Sequence, residues 1–176
     1  KYLNKFRSRY NGIISIQGDR PDNYKLNAKL NGYLDVPKDE YNNIKEEFSI
    51  DLEGGLLTGQ GSLRIKKFPL SAANIFLNKP RDFLGGLDMN LFYDLDTKSF
   101  SSEFFSNNSS IKNNIIIFDK GLVEFNNSIF DIDFSLLIND SEIPINIKGS
   151  IPIKKSDNFD LRLIGNGKFI ELIDIF

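Results

Sequence analysis

The sequence predicts an all-β protein, and three observations predict it. Apolar and polar residues alternate with period two over long stretches, the pattern of strands that present one greasy and one wet face. Clusters of Gly, Asn, Asp and Pro separate these stretches at intervals of roughly ten residues, the spacing of consecutive antiparallel strands. Helical spacing is confined to two short segments. Together these give about eleven strands in an elongated antiparallel arrangement with one or two short helices.

Taken in chain order, Phe48, Ile50 and Leu52 alternate with Ser49, Asp51 and Glu53. Leu87, Met89, Leu91, Tyr93 and Leu95 alternate with Asp88, Asn90, Phe92, Asp94 and Asp96. Phe130, Ile132, Phe134, Leu136 and Ile138 alternate with Asp131, Asp133, Ser135, Leu137 and Asn139, and Ile143, Ile145, Ile147, Ile151 and Ile153 follow, interrupted by Gly149. β-Branched Ile and aromatic Phe suit a pleated, half-buried surface. The expected separators are Gln17 to Pro21, Gly54-Gly55, Asp96 to Lys98, Asn107 to Ser110, Asn126-Asn127 and Asn139-Asp140. Pro144 and Pro152 lack a ladder donor and are expected at bulges, kinks or edges. Residues 69–78 carry apolar side chains at helical spacing after Ser71, a plausible N-cap, and Pro80 stops them. The segment from Lys168 to Phe176 reads as a second such helix.

Gly61-Ser62-Leu63-Arg64-Ile65-Lys66-Lys67 is echoed by Gly149-Ser150-Ile151-Pro152-Ile153-Lys154-Lys155. The echo suggests an internal repeat of about 90 residues with a boundary near 80–86. The chain of 176 residues opens on Lys1 rather than Met, the start expected of a segment of a longer protein.

Composition excludes several chemistries. The chain has no Cys and no His, so it holds no disulfide, thiolate metal site or cysteine nucleophile, and it lacks the commonest general base. Twenty-two Lys and Arg balance 24 Asp and Glu, without the basic stripe that a nucleic-acid partner requires. The pairs Lys66-Lys67 and Lys154-Lys155 are expected as solvated strand ends. No apolar run reaches the roughly 18 residues of a membrane-spanning helix. Asp94 with Asp96, and Asp131 with Asp133, each place two carboxylates about 7 Å apart on one strand face, which is a cation or acid–base geometry. The intervening apolar residues explain both pairs as solubilising groups on a wet face. Residues Gly54 to Gly61 lack the Lys and the long helix of a phosphate-binding loop. No catalytic constellation, metal site or cofactor motif emerges, and the chain reads as a non-enzyme.

The apolar face itself remains. Two such faces closing on each other give a β-sandwich with a dry core. One sheet bent into a trough would leave an open apolar lining able to hold acyl chains. Periodicity does not separate the two.

The stretch Gly61-Ser62-Leu63-Arg64-Ile65, continued by Pro69-Leu70, the segment Ser71 to Asn78, and Gly85-Gly86-Leu87-Asp88 opening a new alternation, resembles the TamB family of translocation and assembly module proteins. Ile143-Pro144-Ile145-Asn146-Ile147-Lys148-Gly149-Ser150-Ile151-Pro152 and Phe169 to Phe176 are similar to a further repeat of that family, and the text is closest in style to cyanobacterial members. The likeness spans about residues 50 to 176; residues 1 to 45 fit only as more strands.

The resemblance implies a β-taco, a long U-shaped sheet with a continuous apolar groove, forming residues 1–176 as one segment of an inner-membrane-anchored protein that crosses the periplasm. It implies phospholipid as the partner, transport between envelope membranes, and a link to outer-membrane protein assembly through an Omp85-type barrel held by other parts of the parent protein. The groove lining would be Phe48, Ile50, Leu52, Leu87, Met89, Leu91, Tyr93, Leu95, Phe130, Ile132, Phe134, Leu136, Ile138, Ile143, Ile145 and Ile147. Eleven strands at about 4.8 Å give only about 50 Å, so several segments would be stacked end to end, and both sheet edges should be free to pair with another copy or with strands of outer-membrane proteins.

Overall fold

The computed structural model describes residues 7–37, 43–72, 83–111, 114–139, 142, 144–153 and 160–164. Within them the chain is all-β. The strands are β1 (Arg7–Gln17), β2 (Lys25–Pro37), β3 (Asn43–Gly55), β4 (Gln60–Pro69), β5 (Phe83–Leu84), β6 (Gly86–Asp94), β7 (Ser99–Ile111), β8 (Asn114–Asn126), β9 (Ile129–Ile138), β10 (Ile145–Pro152) and β11 (Asp160–Ile164). They form one antiparallel sheet in which successive strands are neighbours, except that β4 pairs with β6 and the short β5 pairs with the far end of β7. A sandwich needs two facing sheets. Here every described strand belongs to one hydrogen-bonded sheet, so the two-sheet sandwich does not hold among the described residues.

The turns follow from local chemistry. Between β8 and β9 the two residues Asn127 and Ser128 both have positive φ (51° and 67°), the backbone of a hairpin whose twist matches its strands. Between β6 and β7 the Asp94 carboxylate accepts the N–H groups of Asp96 at 2.9 Å and Thr97 at 3.0 Å, and Lys98 takes φ 55° to close the loop. Between β1 and β2 a 3-10 turn at Pro21–Asn23 is braced by the Asn23 side-chain oxygen, which accepts the N–H groups of Asp19 and Arg20. Pro144 precedes β10 and Pro152 ends it, so neither interrupts the middle of a ladder.

Two expectations are corrected. Asn107 to Ser110 do not separate strands: they lie inside β7, where the pairing with β8 shifts register instead of ending. Lys66-Lys67 is no strand end but the site of a register shift in β4, with Lys67 at φ 56°. Ser71 lies in a short 3-10 turn after β4, its hydroxyl donates to the Glu46 carboxylate at 3.1 Å, and the helix it is expected to cap lies outside the described residues. The rest of the first expected helix (residues 73–78), all of the second, Pro80 and the pair Lys154-Lys155 lie outside the described residues. The two Gly-Ser texts fall in β4 and β10, which run in opposite directions in the sheet.

The register shifts fall opposite one another. β4 bulges between Ile65 and Phe68 and β8 around Asp119, opposite Phe105 of β7, and in β6 Asp88 pairs with Phe105 while its carboxylate accepts the Lys67 N–H at 2.6 Å; β7 carries its own extra residue between Ser106 and Ser109. A bulge bends its strand and increases the local twist. Aligned bulges therefore crease the sheet across β4 to β8. Beyond the crease lie the two most buried apolar clusters, one of Leu34, Phe48 and Ala72, the other of Ile116, Leu136, Ile138 and Ile145.

The apolar face as candidate functional site

Register decides which side chains share a face, because a slip of one residue would send every side chain of a strand to the other side. Ile50 pairs with Leu30 on one side and Ile65 on the other, Ile65 with Met89, Met89 with Phe104, Phe104 with Gly121, Gly121 with Phe134, and Phe134 with Ile147. One unbroken row thus crosses eight strands. A parallel row runs Ala28, Leu52, Leu63, Leu91, Ser102, Val123, Ile132 and Gly149. A third runs Leu26, Gly54, Gly61, Tyr93, Phe100, Phe125, Phe130 and Ile151.

The intervening rows are wet. Lys29, Asp51, Arg64, Asn90, Glu103, Leu122, Asp133 and Lys148 stand side by side, and Lys148 Nζ meets Asp133 at 3.3 Å. Asp131 receives the Ser150 hydroxyl, so the Asp131 and Asp133 carboxylates serve the polar face as expected. Asp96 lies in the turn rather than on the strand with Asp94. Hydrogen bonds from the Thr97 N–H and the Gln60 side chain hold the Asp94 carboxyl below its usual range. Among the described residues no three potential metal ligands come together.

Phe48, Ile50, Leu52, Leu87, Met89, Leu91, Tyr93, Phe130, Ile132, Phe134, Leu136, Ile138, Ile145 and Ile147 all fall on the one apolar face. Leu95 does not: it lies past the end of β6, in the turn, its N–H bonded to the Gly59 carbonyl. Ile143 lies outside the described residues. The register adds positions that alternation alone did not single out, among them Leu30, Leu63, Ile65, Phe104, Ile116 and Phe118.

Aromatic rings spread over glycines on this face. Gly54 and Gly61 pair across β3 and β4, and the Tyr93 ring lies over them so closely that a Cβ on Gly61 would sit 2.2 Å from its hydroxyl. That hydroxyl donates to the Gly55 carbonyl at 3.0 Å, and burial pushes its pKa up. Beside it Phe100, Phe125 and Phe130 form one cluster with centroids 4.8 to 6.0 Å apart, a distance at which rings attract beyond simple burial. At this end of the sheet a hollow of about 1150 Å³ is lined by Tyr93 and Phe125 of the apolar face together with Asp94, Glu124 and Asp131.

Polar groups interrupt the apolar face near the crease. Regular pairing places one carboxylate there among the described residues, Glu46, opposite Leu34. Burial raises its pKa and the Ser71 hydrogen bond opposes the rise. The buried Ser106 and Ser109 hydroxyls bond to each other. Ser102, between Leu91 and Val123, is equally buried and its hydroxyl has no partner. Sequence reading missed this seam because β7, a run of Ser and Phe with bulges, shows no clean alternation.

The described residues form a one-sheet, all-β protein with an apolar face, interrupted by a polar seam near the crease, and a solvated back. Compared with protein-family models, with curated proteins and with solved structures, the chain matches none. No helix among the described residues is long and apolar enough to cross a membrane.

Proposed function

We propose that the apolar face binds phospholipid acyl chains and lets them slide along it between two membranes, as a segment of a periplasmic, inner-membrane-anchored protein of the TamB type. The single observation that carries this reading is the in-register apolar row across eight strands of one sheet, with no second sheet packed against it among the described residues. Eight strands at about 4.8 Å extend such a row over about 34 Å. An acyl chain spans about 15 Å, half the thickness of a bilayer's hydrocarbon core, so the row accommodates it at more than one position. Passive transfer requires that: equivalent neighbouring sites separated by small steps. The similarity of residues 61–88 to TamB text supports the envelope setting, and the link to outer-membrane protein assembly belongs to an Omp85-type barrel reached by other parts of the parent chain. The task involves no bond chemistry, in keeping with a chain that has neither His nor Cys.

The test exploits consecutive residues on opposite faces. A photo-crosslinking amino acid at Leu91 faces the apolar side; at Phe92, an exposed aromatic, it faces the polar side. With protein expressed in a diderm cell, lipid adducts seen by mass spectrometry at 91 and not at 92 support the reading. Equal adducts at both positions, or none, overturn it. Adducts to peptide instead of lipid at 91 would transfer the face to the binding of unfolded outer-membrane protein.

A further inference from the structure

Packing leaves the chemistry of Ser102 unused. Its side chain is buried, with the residue 2% exposed, and its hydroxyl is the only buried side-chain polar atom without a hydrogen-bond partner among the described residues. Buried hydroxyls are nearly always paired, because an unpaired one forfeits the hydrogen bonds it made in water. The other buried hydroxyls of the seam are occupied: Ser106 and Ser109 bond to each other, and Ser71 donates to Glu46. Register places Ser102 in the middle of the apolar face. Leu91 of β6 and Val123 of β8 flank it, and Phe100 and Phe104, two residues to either side along β7, share its face. All four are larger than Ser and apolar, so the hydroxyl lies at the floor of a well walled by hydrocarbon. Alanine would fill the same space without burying an unpaired group, so packing alone does not account for the hydroxyl.

We propose that Ser102 holds bound lipid at one point of the face, its hydroxyl donating to the ester carbonyl of an acyl chain that lies there. The proposal rests on the reading of this face as an acyl-lipid surface, and it adds a fixed position and a preferred linkage. The well itself selects the ligand class. A buried water needs two to four polar partners, and this well offers a single hydroxyl. An ester carbonyl arrives attached to hydrocarbon, which exchanges one apolar contact for another as it parts the four surrounding side chains. A carbonyl is purely an acceptor and so complements the O–H donor. An ether-linked chain brings the same hydrocarbon without that acceptor. Ser106 lies four residues further along β7, roughly 13 Å away, so Ser102 acts as a single donor. One hydrogen bond holds the linkage weakly enough for the chains to slide on once it breaks.

In the test, the full chain is incubated with vesicles holding equal amounts of a diester phosphatidylethanolamine and its diether analogue of the same chain length. The protein is then separated from the vesicles, and the lipid it carries is quantified by mass spectrometry. The diester should be carried in about fivefold excess over the diether, the weight of one net hydrogen bond. Ser102→Ala should bring that ratio to about one while the total lipid carried stays within about twofold of the parent. Because alanine keeps the shape and removes an unpaired group, the variant should melt no lower than the parent. With an isotope label in the lipid's ester carbonyl, infrared difference spectra should show a carbonyl band at lowered frequency in the parent and not in Ser102→Ala. Equal carriage of the two lipids by the parent, or a preference and a shifted band that survive in Ser102→Ala, would overturn the proposal and leave the lipid-binding reading standing. Carriage of neither lipid would overturn both.

Discussion

Ile115 and Ile116 are consecutive, chemically identical, and on opposite faces of β8, so replacing each by Ala isolates the effect of face. Ile116 is 5% exposed and packs with Leu136, Ile138 and Ile145; Ile115 is 46% exposed. Truncating a buried Ile removes its transfer free energy and leaves a cavity, together about 2 to 5 kcal/mol. A half-exposed Ile leaves no closed cavity and has gained only about half of the roughly 1.5 to 3 kcal/mol of full burial, part of which Ala retains. Ile116→Ala should therefore cost about 3 kcal/mol and Ile115→Ala about 0.5 to 1 kcal/mol. For a chain of this size that corresponds to a melting-temperature difference of about 5 to 10 °C between the variants. Urea unfolding followed by far-UV circular dichroism measures both, and an unchanged denaturant slope would show that the folded state alone was altered. Equal losses, or a larger loss at 115, would refute the register and with it the assignment of every side chain on β8 to its face.

Two further outcomes follow from the same geometry. Gly61→Ala sets a methyl group against Tyr93 and the Glu53 carbonyl, so it should cost about 2 kcal/mol, the net of about 1 to 3 kcal/mol for overpacking, about 1 kcal/mol for the Tyr93–Gly55 hydrogen bond and a smaller gain from replacing Gly in a strand. In a Tyr93→Ala background the same change should cost less, because only the contact with the Glu53 carbonyl remains, and a Gly61→Ala variant more stable than the parent would show that the ring does not lie over the glycines. The folded-state pKa of Glu46 is raised above its ordinary 4.5 by burial, so the folded protein holds that proton more tightly than the unfolded chain. Its contribution is fully present below pH 4.5 and is lost as pH rises through the folded-state value, and Glu46→Gln should remove this decline and stabilise the protein at neutral pH. Parallel stability–pH curves for the two proteins would contradict it.

The alternation in β3, β6, β9 and β10 was legible because each strand carries its own record of which side is wet. The strand Phe130 to Ile138 needs no partner to show that Phe130, Ile132, Phe134, Leu136 and Ile138 share a side. β7 kept no such record. Three of its serines, Ser102, Ser106 and Ser109, are buried on the apolar side and its Asn-rich stretch resembles a loop, so its place in the sheet depends on pairing with β6 and β8.

The sequence by itself determined the all-β class, most of the turn positions and the two-faced character of the chain, together with the absence of thiol and imidazole chemistry. These properties are local: they depend on backbone preference and on a period of two within one strand. Only the tertiary structure decided that Leu30, Ile50, Ile65, Met89, Phe104, Phe134 and Ile147 form one row, that the described strands make one sheet instead of two, and that aligned bulges crease it. Those facts depend on register between segments distant in the chain, and a shift of a single residue would have reversed the faces without changing any local pattern.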